Sequence, residues 1–244
     1  MRQYTLARIA AVWAAAALPM GFLAWVVAPW LEGPIGGEEP LAKALLLCLT
    51  VGLIWQFALV LILVGREQGS LRWSRLREAL WIRSPRDARS GRTGGRLWLW
   101  ALAFVVAYGM LEALPVHLSG PTDRDFGSFL ESDAGQEFFR GAWGWFGLVV
   151  VLSIFNTVLG EELLFRGLLL PRMRGAFGRG DWLANATLFG LYHLHIPWAI
   201  PSAVAGGLLF AYPSRRFESA LMGIVVHSAQ SVVVFVFVLV LVLD

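Results

Sequence analysis

Long apolar runs alternate along this chain with short polar, arginine-bearing stretches. Ile9 to Leu31 carries no charge and is long enough to cross about 30 Å of hydrocarbon at about 1.5 Å per residue. It exceeds the apolar core of a signal peptide and lacks a small-residue cleavage site, so it reads as a first span. Ala44 to Gly65 forms a second, Leu97 to Leu118 a third and Ala142 to Leu170 a fourth. Asp181 to His195 is a fifth segment of only about 21 Å, Ile196 to Pro213 a sixth, and Phe217 to Leu243 a seventh. The expected fold is an all-α polytopic bundle of about seven spans, with segments five and six short or re-entrant.

The intervening loops differ in sign. Arg2 and Arg8 precede the first span, and Arg72, Arg75, Arg77, Arg83, Arg86, Arg89 and Arg92 follow the second. Arg172, Arg174 and Arg179 follow the fourth, with Arg215 and Arg216 after the sixth. The alternate loops hold Glu38, Glu39, Asp123, Asp125, Glu131 and Asp133. The positive-inside rule makes the arginine face, and the N-terminus with it, cytoplasmic. In the arginine-rich loop, Leu71, Trp73, Leu76, Leu80, Trp81 and Ile82 could lie on the inner leaflet.

Composition agrees with this layout. Hydrophobic residues make up 57% of 244, mean hydropathy is +0.64, and 15% of residues are charged, against about 25% in soluble domains. The basic residues sit in loops instead of forming a stripe, which argues against a nucleic-acid partner. Cys48 is the only cysteine, so an intrachain disulfide and a cysteine metal cluster are excluded. The twelve tryptophans read as interfacial anchors.

Candidate chemistry begins with Glu161-Glu162 inside the fourth span, since carboxylates at membrane depth need a partner or a purpose. Counting back to each segment's arginine-side end, Glu161 lies about 15 Å deep, His193 about 18 Å and His227 about 15 Å. One acid and two imidazoles from three segments thus share a layer, as a buried catalytic or ion-handling site requires. Glu162 and Arg166 are i,i+4 with the acid first, the favourable order for a helical ion pair; such a pair serves architecture equally well. His195 reads as a cap or interface residue, and Glu112 and His117 as packing or rim groups. Gly206-Gly207 would let helices approach closely.

Glu161-Glu162-Leu-Leu-Phe-Arg166 resembles the EExxxR motif of the CAAX prenyl endopeptidase and bacteriocin-processing (CPBP, or Abi) family of intramembrane proteases. Phe189-Gly-Leu-Tyr-His193 resembles its FxxxH motif, and His227-Ser-Ala-Gln-Ser231 its HxxxN or HxxxD motif. The likeness runs from about Phe146 to Val234, so the chain divides into N-terminal spans with the basic loop (1–96) and a catalytic core (97–244). It implies that Glu161 and His193 activate water, that His227 and residue 231 hold the oxyanion, and that Glu162 and Arg166, with Phe189, support them. Ser231 departs from the pattern, its hydroxyl being shorter in reach than an amide.

The expectation is a cofactor-free endopeptidase that cleaves a membrane-associated protein or peptide, lipidated or not, and whose site opens toward the cytoplasm and toward lipid. The arginine-heavy composition points to a bacterial inner membrane. Zn²⁺ on Glu161, His193 and His227 ranks second, because no HExxH helix is present. An inactive scaffold or immunity factor on the same fold, or a proton-coupled transporter, are the alternatives.

Overall fold

The computed structural model describes residues 2–114, 118 and 120–244, and its regular elements are helices. Among the described residues, five helices are long and apolar enough to cross a membrane. They are α1 (Leu6–Ile35), α2 (Pro40–Gln68), α3 (Gly95–Glu112), α4 (Trp143–Arg172) and, last in the chain, α7 (Ala220–Leu243). Between α4 and α7 lie two shorter ones, α5 (Asp181–Tyr192) and α6 (Ile200–Arg216). The expected seven segments therefore resolve into five full-length helices and a short pair. Part of the third expected span, His117 included, lies outside the described residues.

Helix α1 shows how the local chemistry is resolved. Pro19 has no N–H, which orphans the carbonyl of Ala15 four residues earlier. Trp55 of α2 donates its indole N–H to that carbonyl at 2.8 Å, and a π-turn follows at Leu23–Val27. Helix α4 is wound wider still, with π-turns at Phe155–Gly160 and Leu163–Leu169 bracketing the glutamate pair. Such turns re-aim side chains and recur at functional sites.

The α5/α6 pair packs backbone to backbone. A Cβ at Gly190 would stand 2.2 Å from Val204 Cγ2, and one at Gly207 would stand 3.2 Å from the Ala186 carbonyl oxygen. Small residues allow this approach, as in other membrane helix pairs. It bears out the close packing expected around Gly206-Gly207.

The basic segments meet on one face. Glu67 receives Arg8 at 2.7 Å, Arg172 at 2.9 Å and the Tyr4 hydroxyl. Arg83 pairs with Glu218 at 3.0 Å, Arg216 with Asp87 at 3.0 Å, and Arg215 with Asp181 at 2.8 Å. The loop after α2 docks on this face instead of lying free on a leaflet. Leu80 and Trp81 are buried, Leu80 against Gly167, and the Trp81 carbonyl accepts from Ala220 N–H at 2.9 Å. Only its leading residues, Leu71 and Trp73, are exposed as expected of lipid-facing groups.

The other face is joined by different contacts. Trp198 donates to Asp125 at 2.7 Å, Trp25 to the Leu194 carbonyl at 2.8 Å, and Arg124 to the Ala24 carbonyl at 3.2 Å. Exposed Leu99, Leu102, Val106 and Met110 of α3 and Val232, Val233, Val236 and Val240 of α7 form apolar outer surface, as lipid-facing helices require.

Candidate active site

The two consecutive glutamates of α4 lead different lives. Glu162 is fully buried, and its Oε1 accepts from Arg166 Nη1 at 2.8 Å and from His227 Nδ1–H at 3.1 Å. Arg166, also fully buried, donates to the Gly207 carbonyl at 3.3 Å and lies 4.1 Å over the Phe189 ring. This unit joins α4 to α6 and α7, and Gly223 makes room for it. A Cβ there would lie 2.4 Å from Glu162 Oε2.

Glu161 is 2% exposed, and its Oε2 has no hydrogen-bond partner among the described residues. The Tyr192 hydroxyl, which accepts from Gln56 Nε2 at 2.5 Å, lines a cavity together with it. A helix outside the family resemblance, α2, therefore holds a residue of the cavity lining beside Glu161.

The two histidines expected beside Glu161 gather around Phe189. The His193 ring stands 5.0 Å from the Phe189 ring and the His227 ring 5.8 Å. His227 also stacks on Phe210 at 4.6 Å. His193 caps the end of α5 and donates from Nδ1–H to the Phe189 carbonyl at 2.9 Å. That bond fixes the tautomer and leaves Nε2 as the basic nitrogen. The structure thus brings the two imidazoles together at Phe189, while Glu161 faces a cavity that neither of them lines.

A cavity of about 360 Å³ opens in front of Glu161. Leu45, Leu46, Leu49 and Leu53 of α2, Val149 and Leu152 of α4 and Val234 of α7 form its apolar wall. Its polar lining is Ser153, Asn156, Glu161, Tyr192, His195, Gln230 and Ser231 at depth, with Asp123, Arg124 and Asp125 toward the surface. Of the sequence-derived set, Glu161 and Ser231 line the cavity, whereas His193 and His227 stand behind its lining. His195, read from sequence as a cap, is on the wall, and its buried Nδ1 has no hydrogen-bond partner among the described residues. Asn156, also in the lining, is not marked by apolar length or depth in the sequence. Its signal was the five-residue spacing to Glu161, which carries meaning only once the π-turn is known.

The cavity reaches the face opposite the arginine clusters. Its lining on α2 runs from Ala42 to Leu53, the half remote from Arg66, and Asp123 to Gly127 form its rim. On the arginine side, Phe165, Leu168, Leu169, Leu170 and Met173 are completely buried. The expected opening toward the arginine face is therefore corrected: packed side chains and ion pairs seal that side.

Among the described residues, no three His, Cys, Asp or Glu side chains form a group that could hold a metal ion. Glu112, read as packing or rim, accepts from Gln230 Nε2 at 3.4 Å.

Residues 143–233 match the family model described as Rce1-like, type II CAAX prenyl endopeptidase. No curated protein and no solved structure matches the chain.

Proposed function

Because the chain belongs, through residues 143–233, to the CAAX prenyl endopeptidase (CPBP) family of membrane proteases, we propose that it is an intramembrane endopeptidase using Glu161 as the base that activates water. The supporting observation is a buried carboxylate with an unpartnered oxygen at the inner end of a cavity. Water admitted there would lose its proton to Glu161 and attack the scissile carbonyl carbon. The proton then passes to the departing amine as the C–N bond breaks. The Tyr192 and Ser231 hydroxyls face the same space as donors. His193, with Nε2 basic, and His227, tied to Glu162, support the layer behind the cavity.

The apolar wall suits an extended or unwound apolar segment of a membrane-associated protein or peptide. With the arginine face cytoplasmic, the cavity admits substrate from the extracytoplasmic side of a bacterial inner membrane. The test is incubation of purified protein in lipid nanodiscs with a library of membrane peptides, read by mass spectrometry with and without a chelator. Cleavage that survives chelation and disappears in Glu161→Gln supports the reading. An intact library, or a Glu161→Gln variant that keeps its biological effect, contradicts it and leaves a scaffold.

A further inference from the structure

The floor of the cavity holds one amide side chain for which the fold has no use. Asn156 lines the same space as Glu161, and its side chain has no hydrogen-bond partner among the described residues. Its position there is built by the backbone. In an ordinary α-helix, residues five apart are rotated by about 140°. The π-turn at Phe155–Gly160 replaces i→i+4 with i→i+5 bonding, so residues five apart stack on one face. Asn156 and Glu161 are that pair.

The wide turn is held by its surroundings. Gly160 has no room for a side chain, since a Cβ there would stand 2.6 Å from the Phe155 carbonyl oxygen and 3.1 Å from the Leu53 carbonyl oxygen. Thr157 bonds back to the Ser153 carbonyl at 3.0 Å. Several other donors in the cavity have partners, while Ser153 and the His195 ring, its Nδ1 partnerless among the described residues, share the lining with Asn156. Gln230 gives one amide hydrogen to Glu112, Arg124 bonds the Ala24 carbonyl, and the Tyr192 hydroxyl pairs with Gln56. Ser231 offers a single short hydroxyl.

We propose that Asn156 is a further catalytic residue of this site, its side-chain N–H donating to the scissile carbonyl oxygen as that oxygen becomes an oxyanion. The assignment rests on the endopeptidase reading. Water oxygen bonds to the carbonyl carbon, its proton goes to Glu161, and the carbonyl π pair moves to the oxygen held by Asn156. Collapse returns that pair to the carbonyl, the C–N bond breaks, and the amine takes the proton. A donor placed where negative charge develops acts on the transition state more than on bound substrate.

The experiment uses the full chain in nanodiscs with a peptide that the wild type cleaves, and with a phosphinate analogue of that peptide as a tetrahedral mimic. For Asn156→Ala, kcat should fall about 100-fold or more, with KM within about threefold of wild type because ground-state binding is little changed. Affinity for the phosphinate should drop in proportion to kcat/KM, and the thermal midpoint should hold. Asn156→Leu, of nearly the same shape but with no donor in either protonation state of the site, should match it, which covers the case in which the alanine variant fails to fold. If either folded variant cleaves at the wild-type rate, or loses affinity for substrate and phosphinate equally, the role of Asn156 is refuted while the endopeptidase reading stands. If the wild type itself cleaves no peptide, the endopeptidase reading falls first.

Discussion

His227 donates from Nδ1 to the Glu162 oxygen that also receives Arg166, at 3.1 and 2.8 Å. The second glutamate of the motif is thereby consumed in joining three helices, and the first is left to the cavity. Neighbouring carboxylates should respond oppositely to removal of charge. Glu162→Ala strands a fully buried guanidinium and should destabilise the protein by about 3–5 kcal/mol, seen as lost monodispersity or a lowered thermal midpoint. Glu161→Gln removes a buried carboxylate with an unpartnered oxygen and should melt at or above the wild-type midpoint.

Glycine positions give a second contrast. Gly223→Ala forces a methyl to within 2.4 Å of Glu162 Oε2 and 2.8 Å of Ser214 Oγ. It should cost about 1–3 kcal/mol and impair folding. Gly109→Ala, on α3 with nothing within 4 Å of the new Cβ, should be neutral or stabilising by up to about 1 kcal/mol. Thermal scans of the two variants check the difference.

Sidedness is open to direct labelling. Ala88 lies on the arginine face and Thr122 in the segment that leads to the cavity rim, and both are exposed. Native Cys48 is buried and should stay silent. In intact bacterial spheroplasts, a membrane-impermeant maleimide should label Thr122→Cys at once and Ala88→Cys only after permeabilisation. The reverse pattern would turn the cavity toward the cytoplasm.

The loop carrying Asp87 should respond to acid. Backbone N–H of Arg89, the Ser90 hydroxyl and Arg216 all favour the ionised carboxylate and hold its pKa below the ordinary aspartate range. A lowered folded value means that the contribution is complete above the unfolded pKa, about 3.9, and is lost as pH falls through the folded one. Protection of amides around Asp87 to Thr93, taken relative to their intrinsic exchange rates, should therefore hold at neutral pH and fall only in strong acid. Asp87→Asn should show the low protection throughout.

Sequence carried much of this account because membrane depth is legible in one dimension. Apolar length located α1, α2, α4 and α7 to within a few residues, and depth brought His193 and His227 to a common layer around Phe189. Depth says nothing about rotation. Two π-turns in α4 alter which side chains share a face, and the first of them puts Asn156 in the cavity with Glu161. Nor does depth say which end of a site is plugged. That was decided by packing of Phe165, Leu168 and Met173 on the arginine side.

The decisive measurement is cleavage of a membrane peptide in H₂¹⁸O by the nanodisc-embedded wild type and Glu161→Gln. Water attack assisted by Glu161 predicts one ¹⁸O in the new carboxyl group for the wild type, and no product from a folded Glu161→Gln variant. Product formed by that variant at the wild-type rate would contradict the role given to Glu161.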